Sequence, residues 1–242
     1  MAFKKFLVCA DNHGHLVNAE CTKKFIEFKS TWKPDYSICL GDLWDMNGLR
    51  KSANDEEKRE GISRDFQAGI EFLDIGFDVV TLGNHDARLW EAAEAAPNGI
   101  LRESCKELVR CVTEEFEARK IQWIPYNVNA YLQLPEGGPK LIHGFLAGMN
   151  PAKAHFERFG SCLFGHVHAP SSYIAKHIDQ GQAYALGCMA DIDSMTYAER
   201  YPNRLGWRNG WGFGIINEKT GKWSFWHVNK EDGHYISPMG VL

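Results

Sequence analysis

Two histidines stand one residue apart in Gly-His-Val-His at 165–168, directly after an apolar run at 161–164. In an extended segment alternate side chains share a face, so His166 and His168 alone would point the same way and need have no task. Four further apolar runs end on residues of the same chemical kind. Asp11, Asn12 and His13 follow 6–10, Asp42 follows 37–41, Asn84, His85 and Asp86 follow 79–83, and His143 follows 140–142. If these runs are strands of an α/β sheet, their carboxyl ends share the crevice where ligands and chemistry collect. Gly41, Gly83 and Gly165 each precede a candidate, where a missing side chain lets the backbone crowd close to an ion. Carboxylates, an amide and imidazoles mixed in one site suit divalent manganese first and iron or zinc next; an all-oxygen set would favour magnesium or calcium. The donors outnumber the needs of one tetrahedral ion. Two ions about 3.5–4 Å apart around a shared carboxylate would use them all and clamp an in-line displacement at phosphorus.

The elements that must hold these residues alternate between strand and helix signals. Residues 3–10 read as a strand, followed by a helix in which Cys21, Phe25, Phe28 and Trp32 share one face and Pro34 marks the stop. After the run at 35–40, the polar stretch 52–64 becomes amphipathic through Phe66, Ile70 and Leu73, which predicts one helix with a solvated front half. Residues 77–82 are a third strand. Leu101, Cys105, Leu108, Val112 and Phe116 then fall at helical spacing within 100–120. Residues 121–128 and 130–145 read as strands, the latter a hairpin turning at 135–138, and a short helix at 152–159 leads into Gly-His-Val-His. Beyond it, 182–188, 211–217 and 222–228 are strand candidates, the last two forming a hairpin expected to close the second sheet.

With 242 residues, 44% of them hydrophobic, and no Pro/Gly/Ser-rich linker, one domain over 1–242 is expected. A formal net charge of −4 provides no general basic field for nucleic acid. No apolar stretch approaches the about 20 residues of a membrane span, and the opening segment turns polar too soon for a signal peptide. Seven scattered cysteines suit reduced core thiols, so the cytoplasm is the expected location.

In order and approximate spacing, the five fragments resemble the signature of the calcineurin-like metallophosphoesterases: Asp-Asn-His at 11–13, Gly-Asp-Leu-Trp-Asp at 41–45, Gly-Asn-His-Asp at 83–86, His-Gly at 143–144 and Gly-His-Val-His at 165–168. The resemblance implies a four-layer α/β/β/α fold, two sheets packed face to face and flanked by helices. It implies that Asp11, His13 and His168 hold one metal, that Asn84, His143 and His166 hold the other, and that Asp42 bridges them. The two histidines of Gly-His-Val-His would then serve different ions. His85 would protonate the leaving oxygen, oriented by Asp45, for which a helix N-cap is the plainer alternative. A water or hydroxide bridging the two dications would attack phosphorus. Asp86 suits a cap or turn at least as well as catalysis. Asn12, Arg50, Arg88 and His15 stand near the fragments and are candidates for phosphate contact; for the arginines a solvated surface role weighs equally. His155, His177, His227 and His234 lie outside every fragment and read as structural or surface residues.

The expected activity is metal-dependent hydrolysis of phosphomonoesters or phosphodiesters, with a small or nucleotide-like substrate, and the alternative is a DNA or RNA nuclease of repair type. Arg200, Arg204 and Arg208 interleave with Tyr201, Trp207 and Trp211, a composition able to grip single strands by charge and stacking. Eight tryptophans in this length must mostly be buried, however, which favours core aromatics. A non-catalytic scaffold would not need every ligand position filled, and here each is.

Overall fold

The computed structural model describes residues 3–51, 53–59, 61–134, 137–176, 181–195 and 206–242. Its first strand, β1 (Phe3–Cys9), shows why two sheets form. Phe6 and Val8 enter a buried cluster with Ile38, Leu40, Leu141 and Leu163, while Leu7 and Cys9 enter another with Phe25, Val80 and Phe116. Alternate residues thus face a second sheet and a layer of helices, the pattern of a strand covered on both sides.

β2 (Tyr36–Cys39), β3 (Val79–Thr81) and β4 (Gln122–Ile124) continue from β1, each parallel to the last. Parallel neighbours need long crossovers, and helices supply them: α1 (Ala19–Trp32), α2 (Asp55–Arg59) with α3 (Ser63–Leu73), and α4 (Asn84–Ala95) with α5 (Gly99–Ala118). Asn18 caps α1 by accepting from the Cys21 amide at 2.9 Å. Its predicted face is buried at Cys21, Phe25 and Phe28, and full burial of one phenylalanine is worth about 1.5–3 kcal/mol.

The second sheet comprises β5 (Leu132–Gln133), β6 (Lys140–Leu141), β7 (Cys162–Phe164), β8 (Ser171–Ile174) and β9 (Gln182–Ala185), in the order β5-β6-β7-β9-β8. β6, β7 and β9 run parallel. α6 (Pro151–Phe159) covers the outer face through Ala152 and Phe159, which pack on Cys162, Phe164 and Ala185. The layers are helix, sheet, sheet, helix, as expected.

Three expectations differ. The segment after β2 forms two helices rather than one, because the chain breaks around Gly61, where a helix interior would lose about 1 kcal/mol. α4 has no counterpart in the sequence reading. Only Asp86, Leu89 and Ala93 of it are buried, too narrow an apolar face to stand out. The hairpin of β10 (Gly210–Asn217) and β11 (Trp223–Glu231) joins the first sheet, with Phe3 facing Asn217 and Val8 facing Gly212. β10 suits that place because both its faces are covered: Trp211 and Phe213 pack toward the helices and Ile216 toward the other sheet. β12 (His234–Ser237) and β13 (Gly240–Val241) extend the same edge; like β8 they are short and have little apolar signal.

Candidate metal centre

The carboxyl ends of β1, β2 and β3 in one sheet, and of β6 and β7 in the other, meet at one rim. Backbone hydrogen bonds align the loops there: Asp11 N–H donates to Gly41 O at 2.9 Å, His13 N–H to Asp42 O at 2.9 Å, and Gly165 N–H to His143 O at 2.7 Å. The two sheets are joined where the His166 amide donates to the Asp11 carboxylate at 3.0 Å. Two glycines permit this closeness: a Cβ on Gly83 would lie 2.0 Å from Asp42 Oδ1, and one on Gly165 would lie 2.5 Å from Asp11 Oδ2. Asp11, His13, Asp42, His166 and His168 all have φ between 50° and 70°. Non-glycine residues in the left-handed region are uncommon, and such backbone strain concentrates where function over-determines the local conformation.

All seven ligand candidates are brought together, mostly buried. Asp11, His13 and His168 form one group whose donor atoms lie within 4.8 Å of one another, and Asp42, His143 and His166 form a second. Asn84 joins the second, its Oδ1 3.1 Å from His143 Nε2 and 2.8 Å from His166 Nδ1. Asp42 Oδ2 sits between the groups, 3.2 Å from His143 Nε2 and 3.8 Å from His13 Nε2.

The protonation pattern fits cations. His13 Nδ1 donates to Asp45 at 3.0 Å, which leaves Nε2 a lone pair that faces His168 Nε2 at 3.2 Å. His143 Nδ1 donates to the Leu40 carbonyl at 2.7 Å, so its Nε2 faces two oxygens, Asn84 Oδ1 and Asp42 Oδ2, with the one position an ion or a proton can take. Bonds of this kind at Nδ1 fix the tautomer a metal-binding imidazole needs. Acceptors crowded this closely call for positive charge among them. Burial opposes charging His143, yet the Asp42 charge and hydrogen bond push it up to about 10. His166, by contrast, is lowered to about 4, by burial first and by the charged His143 ring second. The donor set therefore fits two divalent ions.

Asp45 does not cap a helix. Its Oδ1 lies 3.0 Å from both His13 Nδ1 and His85 Nδ1, so one carboxylate serves two rings. His13, Asp45 and His85 also cluster tightly enough for an ion, but the Nδ1 hydrogen bonds already account for that closeness. Burial raises Asp45, yet the bonds from His13 and His85 hold it well below the ordinary carboxylate range. His85 Nδ1 is also 2.8 Å from the Asp45 carbonyl, to which Arg88 donates at 2.8 Å. Asp86 accepts from the Gly83 amide at 2.7 Å and the Trp44 amide at 3.0 Å, a cap that fixes the start of α4.

Three of the four phosphate-contact candidates are engaged elsewhere. Asn12 is fully buried and donates to the Leu43 carbonyl at 2.9 Å, bracing a loop. Arg50 pairs with Glu57 of α2. His15 faces Asp65 at 3.2 Å. Trp211 is wholly buried in the core, and Arg208 pairs with Glu231, while Trp207 packs against the His168 ring at 4.5 Å between centroids. Arg200, Tyr201, Arg204 and His177 lie outside the described residues. His155 stacks on Phe164 and accepts from the Phe145 amide, and His227 bonds the Ala185 carbonyl, both structural placements; His234 is exposed. Sequence reasoning missed Asp65 and the Leu40 carbonyl, because neither a lone acid nor a main-chain oxygen carries a motif signal.

Ions that bind the folded chain alone stabilise it by mass action, about 4 kcal/mol at a thousandfold excess over Kd. Chelation is therefore expected to lower Tm by about 10 °C, read by scanning fluorimetry and reversed by added manganese; an unchanged Tm would speak against a resident ion.

A family model described as calcineurin-like phosphoesterase matches residues 4–170. No curated protein matches the chain in sequence. Among solved structures, Vacuolar Protein Sorting 29 from Cryptosporidium parvum is 14% identical with TM-score 0.50, over 97% of this chain and 95% of that one. Vps29 from Chaetomium thermophilum is 13% identical with TM-score 0.50, over 99% and 94%. A metallophosphoesterase from Sphaerobacter thermophilus is 16% identical with TM-score 0.47, over 95% and 89%. At these identities the first two likenesses show the fold alone.

Proposed function

The chain belongs to the calcineurin-like phosphoesterase family, and from that premise we propose that it is a dinuclear metal-dependent hydrolase of phosphomonoesters or phosphodiesters. The observation that carries this reading is Asp42 Oδ2, placed between His13 of one ligand group and His143 of the other. Asp11, His13 and His168 would hold one ion, Asn84, His143 and His166 the other, and Asp42 both, with manganese first and iron or zinc next by donor type. A bound pair supplies Lewis-acid polarisation of phosphoryl oxygens and a water nucleophile at neutral pH.

The chain's own residues supply the rest. His85 has Nδ1 tied to Asp45, and its Nε2 turns toward the centre, 4.0 Å from Asp42 Oδ2. It would hold a proton at Nε2 for the leaving oxygen. Burial lowers its pKa, but the Asp42 charge and the Asp45 bond outweigh that and raise it. Arg88, anchored on the Asp45 carbonyl beside His85, is the best placed candidate for phosphate contact. Because both sheets contribute ligands, the site supports reading 1–242 as one domain. Seven free cysteines, six of them buried, suit a reducing compartment such as the cytoplasm. Among the described residues no helix is long and apolar enough to cross a membrane.

The test is turnover of chromogenic phosphomonoesters and phosphodiesters beside labelled single- and double-stranded DNA, with metal content measured on the same preparation. Metal-dependent cleavage of a model ester is expected. DNA cut faster than the model diester would replace the reading with a nuclease, and no metal-dependent turnover on any substrate would overturn it.

A further inference from the structure

Asp65 lies outside every motif, in the first turn of α3. Its carboxylate is nevertheless where two of the ligand-bearing loops meet. Oδ1 accepts from the Asp45 amide at 3.2 Å, and Oδ2 accepts from the Met46 amide at 2.9 Å. From the other loop, the His15 amide donates to Oδ1 at 3.4 Å and His15 Nδ1 lies 3.2 Å from the same oxygen. Gly14 makes room for this: a Cβ there would stand 1.9 Å from Asp65 Oδ1. Asp65 is 6% exposed, and a buried acceptor or donor left without its partner carries its full desolvation cost.

The geometry points to Asp65 as a positioning residue for the phosphoester chemistry proposed above, on which this inference rests. Asp65 holds the backbone at 45 and 46, and Asp45 in turn holds Nδ1 of His13 and Nδ1 of His85 at 3.0 Å each. The orientation of a metal-ligand ring and of the acid ring therefore passes through one carboxylate that belongs to neither ligand group. It also ties the loop after β1 to the loop after β2, so a shift in either is resisted by the other.

The test compares Asp65→Ala, Asp65→Asn and Gly14→Ala with the parent in three measurements: manganese affinity by calorimetry, turnover across a leaving-group series, and the downfield N–H proton resonances of His13 and His85. Asp65→Ala is expected to lower kcat and manganese affinity by about 10–100-fold each, the usual cost of losing an outer-shell partner. KM should change little, and both resonances should move. Gly14→Ala displaces the carboxylate but also strains its own φ of 51° beside His13. The readout for it is therefore the His85 resonance, which should move only through Asp65 and Asp45, and which the double variant should leave where Asp65→Ala alone leaves it. Asp65→Asn, retaining one acceptor oxygen, should fall between. Unmoved resonances, with or without reduced turnover, would overturn the assignment and leave Asp65 as a stabilising contact only. If Asp65→Ala does not fold, the other two variants decide. Should the parent show no turnover at all, the proposed function fails, whereas manganese affinity and the resonances still report on Asp65.

Discussion

Replacing Asp42 by alanine is expected to abolish measurable turnover and to leave the purified protein with at least one ion fewer. Asp42 adopts φ 50° behind Gly41, and its two oxygens do different work. Oδ1 accepts from the His85 amide at 2.8 Å and so fixes the start of α4, while Oδ2 faces both ligand groups. Loss of one Lewis acid removes several kcal/mol of transition-state stabilisation, about 10³-fold or more in rate. Asp42→Asn separates the two roles, because it keeps an acceptor for the amide but removes the charge. It should fold like the parent and still lose metal. Elemental analysis and turnover on the same sample decide the matter, and a fully metallated, active Asp42→Ala protein would refute the bridging role.

His85→Asn is expected to do the opposite, leaving metal content nearly intact while lowering kcat. General acid catalysis contributes about 10²–10⁴-fold, and the loss should be greatest for esters with poor leaving groups, which depend most on protonation. An equal loss across leaving groups would replace proton donation by simple charge stabilisation. The pH profile carries the sign. The Asp42 charge and the Asp45 bond raise the His85 pKa; bound ions would offset the first and leave the second. The parent rate should fall on the alkaline side as the His85 ring loses its proton, and this limb should be missing in His85→Asn.

Much of the site was legible because its chemistry resides in side-chain types at strand ends. Asp11, Asp42, Asn84, His143 and His166 each follow an apolar run, and parallel strands put such ends together. The partners that orient them were not legible. His143 is turned by the Leu40 carbonyl, which every residue possesses, and Asp45 is held by Asp65 through main-chain amides, a contact made only by the packing of α3. Asn12 carried the same apparent promise as its neighbours, but burial directs its amide to Leu43. In the fold, α1 and α5 were readable from wide apolar faces. α4 was not, since its first turn is committed to the site and its buried stripe is thin. The place of the β10–β11 hairpin depended on a partner at the far end of the chain.

That pairing bears on the order of events during synthesis. Phe3 to Val8 pair with Gly212 to Asn217, so β1 leaves the ribosome long before its second neighbour arrives. Contacts of such sequence separation fold slowly. Until β10 arrives, β1 presents an open hydrogen-bonding edge, and the Met189 amide, which bonds the Ala10 carbonyl at 3.0 Å just before Asp11, comes from the same late stretch. A polypeptide halted before residue 189 would carry every motif yet lack the clasp on the first of them, so competence should appear only after residue 217 has emerged.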